Sequence, residues 1–116
     1  MTDKGKRLQV VFFQTEAGTE PVREWLKTLN KEDRLVIGTD IKTVEFGWPI
    51  GMPTCKPLSG GIWEVRSNLH GRISRVLFCI AGNLMVLLHA FIKKSRATPQ
   101  KDLDIARSRK RQLEAS

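Results

Sequence analysis

Between Phe46 and Lys101 the chain holds a single carboxylate, Glu64. Two-metal nuclease chemistry needs clustered acids, so the basic half of this sequence does not support it. Cysteine and histidine are equally sparse, with two of each. Cys55 and Cys79 form no CxxC pair, and no His or Cys falls at metal-ligand spacing, so no zinc site is recognisable. No glycine-rich loop leads into Lys-Ser or Lys-Thr, which leaves nucleotide hydrolysis and a bound cofactor without support. The longest apolar run, Val76–Ile92, is broken by Gly82-Asn83 and interrupted by His89. A membrane-spanning helix wants roughly 20 predominantly apolar residues, so this run reads as two strands and a turn. No secretory signal is visible behind Lys4-Gly5-Lys6-Arg7, and two isolated thiols then fit reduced, buried cysteines of a cytoplasmic protein. Repeats and low-complexity segments are absent as well.

What is present is charge of one sign, unevenly placed. The chain has 116 residues and a formal charge of +8, with 41% hydrophobic and 28% charged residues. That length and composition suit one folded domain over residues 1–116. Residues 1–45 carry eight basic and eight acidic side chains, whereas residues 46–116 carry twelve and four. A balanced half followed by a basic half suggests a scaffold followed by a surface for a polyanion.

In chain order, Leu8–Phe13 reads as a first strand. Thr19-Glu20-Pro21 opens a helix with a capping residue, a first-turn proline and acids near the positive end of the dipole. Val22, Trp25, Leu26 and Leu29 give it one apolar stripe. Asn30 ends that helix and caps a second, with Asp33 at the capping-partner position. Ile37, Ile41 and Val44 repeat at helical spacing until Gly47-Trp48-Pro49 stops the helix. Cys55–Leu58 and Ile62–Ser67 flank Ser59-Gly60-Gly61, as one bulged strand or two short ones. Ile73–Ile80 and Leu84–Ile92 follow, joined by Ala81-Gly82-Asn83 in a tight turn. Thr98-Pro99 opens a final helix to about residue 113, whose stripe of Leu103, Ala106 and Leu113 is thin. The order implies an α+β fold, with an N-terminal strand and a helical hairpin on one face of a small antiparallel sheet. The sheet's other face is expected to be partly open.

Alternation along the strands places Ile62, Glu64 and Arg66 on one face, Ile73, Arg75 and Leu77 on one face, and His89, Phe91 and Lys93 on one face. Neighbouring strands would bring Arg66, Arg75 and His89 or Lys93 onto one surface. Metal-free cleavage of RNA needs a base for the 2′-OH proton, cations for the phosphate and an acid for the leaving oxygen. Arginine supplies bidentate phosphate clamps, and His or Lys in a cationic cluster exchanges protons near neutrality. Each residue also has a plainer reading. Glu64 pairs with Arg66 or with an arginine of the next strand, His89 serves as a histidine at the core edge, and Arg72 is a solvated charge or an RNA contact. Lys93-Lys94, at the end of a rigid strand, are the strongest candidates for function.

Lys56-Pro-Leu58, Ile62-Trp-Glu-Val-Arg66, Arg75-Val-Leu-Phe78, His89-Ala-Phe-Ile-Lys-Lys94 and Thr98-Pro99 together resemble the RelE/ParE superfamily of toxins, and within it the HigB-like, phage-associated branch. The likeness spans about residues 8–113. It implies a cytoplasmic toxin of a type II toxin–antitoxin pair that cuts mRNA on the ribosome without a metal. Its antitoxin would be a helix-turn-helix, HigA-like protein. A ParE-like gyrase inhibitor and a non-catalytic basic nucleic-acid-binding module are the alternatives. By position, Arg66 matches the strand arginine of RelE-type nucleases, and Arg75 the strand arginine used at the cleavage site of HigB-type nucleases. Lys93 and Lys94 fall where such toxins place catalytic groups. The chain has no tyrosine, so the phenol used by many RelE-type sites is missing, and proton transfer passes to His89 or a lysine. Lys56, Arg72, Arg96 and Lys101 are the expected RNA contacts.

Overall fold

The structure, a computed structural model, describes residues 5–93 and 97–115. A first strand, β1 (Gln9–Phe12), leads to two helices, α1 (Pro21–Lys27) and α2 (Lys31–Gly47). Four strands follow the connector: β2 (Cys55–Pro57), β3 (Trp63–Leu69), β4 (Arg72–Ala81) and β5 (Leu84–Lys93), with a single 3-10 turn at Ser59–Gly61 between β2 and β3. The chain closes on α3 (Gln100–Ala115). These form one five-stranded sheet in the order β1-β5-β4-β3-β2.

Local chemistry explains most boundaries. Pro21 occupies the first turn of α1, where its missing N–H costs nothing. The cap is Glu20 rather than Thr19, whose backbone N–H donates to Thr15 Oγ1 instead. Asn30 caps α2, its Oδ1 accepting from the Asp33 N–H at 2.8 Å. Ser59–Gly61 turns the chain sharply because Gly60 and Gly61 both take positive φ. Cys55–Leu58 and Ile62–Ser67 are therefore two antiparallel strands, not one bulged strand.

One expectation needs correction. The sheet is mixed rather than antiparallel, because β1 pairs parallel with β5, Gln9 opposite Leu84 and Phe12 opposite Leu87. The α1–α2 hairpin makes this possible by returning the chain across the sheet. The end of α2 then holds β1 in place: the Glu45 carboxylate accepts from Val10 N–H at 2.8 Å and its carbonyl from Leu8 N–H. On the second face α3 docks over part of the sheet, leaving Lys56, Arg66 and Lys93 partly exposed.

Each face therefore has its own core. On one side Val22, Ile37, Ile41 and Val44 of the helical hairpin pack on Val65, Val76, Phe78, Met85, Leu87 and Ala90. Trp48 closes that layer with its edge against Trp63, ring centroids 4.8 Å apart. On the other side Ala106, Leu103 and Leu113 of α3 pack over Ile62, Leu77, Cys79, Val86, Leu88 and Phe91. The apolar stripe of α3 is thin, but two polar anchors supplement it. Arg109 donates to the Leu88 carbonyl at 2.8 Å and lies 5.9 Å from the centre of the Phe13 ring.

The register explains why Leu88 offers its carbonyl. Leu77 faces His89 while the next residue, Phe78, faces Leu87, so Leu88 is an extra residue in β5. A bulge leaves its extra residue unpaired in the ladder and re-aims the side chains around it. Here it turns both Leu88 and His89 toward α3.

Candidate active site

Three cross-strand rows lie on the α3 side of the sheet. Lys56, Glu64, Leu77 and His89 form the first, by the pairings of β2 with β3, β3 with β4 and β4 with β5. Arg66, Arg75 and Phe91 form the second, and Asn68, Ile73 and Lys93 the third. The expected gathering of Arg66, Arg75, His89 and Lys93 on one face is thus what the register gives.

Their exposure differs from the expectation. Glu64 and Arg75 are both fully enclosed, at 0% exposure. The Arg75 Nη1 lies 3.3 and 3.2 Å from the two carboxylate oxygens of Glu64. Thr98, just ahead of α3, donates its hydroxyl to Glu64 Oε1. Arg66 Nε sits 3.8 Å from Glu64 Oε2 with its side chain 24% exposed. Arg75 is therefore no surface arginine. A carboxylate and a guanidinium this far from water persist together because each neutralises the other. Glu64 takes both plain readings at once, with the arginine of the neighbouring strand the nearer partner.

The groups that meet solvent surround this enclosed pair. Arg66 lines a cavity of about 250 Å³ at the sheet edge with Asp40, Pro53, Thr54 and Asn68. Lys56 and Lys93 are half-buried at either flank. His89 keeps 15% of its side chain exposed, and its Nε2 lies 2.7 Å from Asp102 Oδ1 on α3. Burial pushes the imidazole pKa below its usual 6.5, and the Asp102 hydrogen bond and charge oppose that shift without cancelling it. The ring is accordingly neutral near pH 7, the form that accepts a proton.

Of the remaining candidates, Lys101 is exposed in the first turn of α3. Arg72 stands on the opposite face, its Nη2 2.8 Å from Asp33 Oδ2 at the start of α2. Strand alternation separates Arg72 from Arg75, so this expected RNA contact is not on the face that carries Arg66, Arg75 and Lys93. Lys94 and Arg96 lie outside the described residues. Cys55, enclosed and beside Glu64, has its thiol pushed up to about 11, chiefly by burial, so it is inert as a nucleophile near neutrality. Among the described residues no group of three His, Cys, Asp or Glu is arranged to hold a metal ion. No helix among them is long and apolar enough to cross a membrane.

Sequence reasoning missed Asp102 and Thr98 as partners of the site. The signal for Asp102 was present: it lies four and seven residues before Ala106 and Arg109, inside the helical stripe that faces the sheet. A charge within a buried stripe needs a partner, and His89 is that partner.

Residues 24–111 match the model of the family described as Phage derived protein Gp49-like (DUF891). The chain belongs to the Gp49-like family. That family is phage-derived, associated with toxin–antitoxin systems and related to RelE-type toxins that act as ribonucleases. Membership suggests an antitoxin partner. No curated protein matches the chain.

Proposed function

We propose that this Gp49-like protein is the toxin of a type II pair of the HigB-like kind, and that it cuts mRNA on the ribosome without a metal. The observation that carries the reading is the placing of a partly exposed His89 on the same sheet face as Arg66, Lys56 and Lys93. His89 and Arg66 stand on strands separated by β4 and one row apart, so two strand spacings and two residues along the strand put their backbones roughly 12 Å apart. That span suits a stretch of RNA backbone whose phosphate meets arginine while its ribose meets imidazole.

In the proposed reaction His89 takes the proton of a ribose 2′-OH, and the 2′-oxygen forms a bond to the adjacent phosphorus. The bond from phosphorus to the 5′-oxygen breaks, leaving a 2′,3′-cyclic phosphate and a 5′-hydroxyl. Arg66 and Lys56 hold the phosphoryl oxygens as charge builds on them. Lys93 gives the leaving oxygen its proton, with Lys94 next to it in the chain. Arg75 acts through Glu64, whose carboxylate orients Arg66, and does not touch the phosphate. Lys101 extends the RNA contact to the start of α3, and Arg96, which lies outside the described residues, is the remaining proposed contact. The partners are a helix-turn-helix, HigA-like antitoxin, the ribosome and mRNA, which places the activity in the cytoplasm.

The test is a translation extract with added toxin, in which new mRNA 5′ ends are mapped. Wild type is expected to yield ribosome-dependent cuts, and Arg66→Ala to reduce their rate on the order of a hundredfold, as loss of one transition-state contact does. Growth arrest without mRNA cuts, accompanied by gyrase–DNA cleavage complexes, would move the assignment to gyrase inhibition.

A further inference from the structure

Asp102 is 5% exposed, and Nε2 of His89 lies 2.7 Å from its Oδ1. Its second oxygen, Oδ2, is buried with no hydrogen-bond partner among the described residues. A carboxylate only accepts hydrogen bonds, so the hydrogen between the two residues sits on Nε2, and the neutral ring offers Nδ1 as its lone pair. The side chain keeps 15% of its surface exposed, and among the described residues its hydrogen bond to Asp102 runs through Nε2, not Nδ1. Arg109, two turns further along α3, grips the carbonyl of Leu88, the residue before the histidine. Phe91 flanks the ring at a centroid distance of 5.6 Å. One helix therefore holds the bulge by its backbone and its imidazole together.

We infer that Asp102 is a positioning residue: it fixes the Nε2–H tautomer of His89 and directs Nδ1 outward as the atom that takes the 2′-OH proton. This rests on the nuclease reading above. Asp102 then also stabilises the imidazolium formed once Nδ1 is protonated, because its charge sits where the positive charge appears. The other groups facing the ring are Arg109 on α3, which opposes that charge, and the apolar Leu77 of β4. Glu64 lies beyond Leu77 in the same row and is already engaged by Arg75. A contact that merely docked α3 would need the hydrogen bond but not the negative charge.

The experiment is a joint titration of the full chain. Imidazole ¹H–¹⁵N spectra of the labelled protein resolve its two histidines, with the 91%-exposed His70 as internal reference. Cleavage by wild type, Asp102→Asn and Asp102→Glu is followed against pH with ribosomes present, and thermal melts establish that each variant folds. Wild type should show Nε2–H on His89 and an acid limb of kcat/KM that follows the His89 pKa. Asp102→Asn keeps an acceptor but loses the charge. It should lower the His89 pKa, carry the acid limb down with it and cut the rate at pH 7 tenfold or more. Asp102→Glu should return the limb toward wild type. A folded Asp102→Asn variant whose His89 pKa, acid limb and rate at pH 7 all match wild type overturns the inference and leaves the nuclease reading standing. An acid limb that stays fixed while the His89 pKa falls removes His89 as the base, and the inference with it. Wild type that cuts no mRNA on intact ribosomes overturns the nuclease reading and this inference with it.

Discussion

Replacing Arg75 by Met removes one half of an ion pair that no water reaches. The Glu64 carboxylate would keep the Thr98 hydroxyl and the more distant Arg66 guanidinium, at 3.8 Å, and lose its closest charge. Breaking a buried pair from one side costs about 3–5 kcal/mol, because the surviving charge stays buried without compensation. For a chain of this length each kcal/mol moves the melting temperature by roughly 3–6 °C, so Arg75→Met should lower it by about 10–30 °C. Arg66→Met is the control. It removes a positive charge from the same carboxylate, but at longer range and with solvent access, and should cost less than about 1 kcal/mol. The double variant Glu64→Gln/Arg75→Met removes both charges and should recover a large part of the loss, since a neutral pair carries no stranded ion. Urea and thermal melts of the four proteins decide the matter. An Arg75→Met protein melting within about 3 °C of wild type, or a double variant no better than the single, would refute the account of a mutually dependent buried pair. The outcome also governs how activity is read, because any Arg75 variant loses function through the fold before it says anything about catalysis.

Three further outcomes are expected. RNA binding should weaken linearly on logarithmic axes as salt rises, and Lys56→Ala or Lys93→Ala should each reduce that slope by about 1 in filter-binding measurements. Arg72→Ala should leave the slope unchanged, since Arg72 pairs with Asp33 on the opposite face. Stability should decline as pH falls below about 6.5: the folded His89 pKa lies beneath that ordinary value, so the unfolded chain binds the proton more readily. The contribution is complete above 6.5 and drains away as pH drops through the folded value, and His89→Gln should flatten that part of a urea-melt series.

The order of elements was legible because each boundary has a local cause. Pro21, Asn30, Gly47 and the Gly60-Gly61 turn act within a few residues of themselves, and those boundaries lie within one to three residues of where the sequence placed them. The partner of β1 was not legible. Nothing in Leu8–Phe13 says whether it lies parallel or antiparallel, or that it joins β5; the anchor is Glu45, more than thirty residues away. The docking of α3 was hidden for a similar reason. An apolar count along residues 100–115 sees Leu103, Ala106 and Leu113, but much of the attachment is polar, through Asp102 to His89 and Arg109 to Leu88.

The bulge at Leu88 shows most clearly where a sequence pattern stops. Alternation counted back from Lys93 puts His89 and Phe91 on the face shared with Arg75, and the register agrees. Counted forward from Leu84, the same rule gives the opposite answer, because Met85 and Leu87 pack against the α1–α2 hairpin and His89 should follow them. Only one extra residue reconciles the two counts, and Leu88 supplies it. A continuous run of apolar side chains buried on both faces carries no mark of where its period slips. The slip places two adjacent residues on the α3 side, a leucine that fills the core and a histidine at its edge. It also frees the carbonyl that Arg109 takes up. The irregularity and the helix that covers it therefore depend on each other. Without α3 the Leu88 carbonyl would lose its donor, and without the bulge His89 would face the hydrophobic layer beneath α2. The position of the imidazole is thus a property of the β5–α3 pair, and neither segment read alone would have disclosed it.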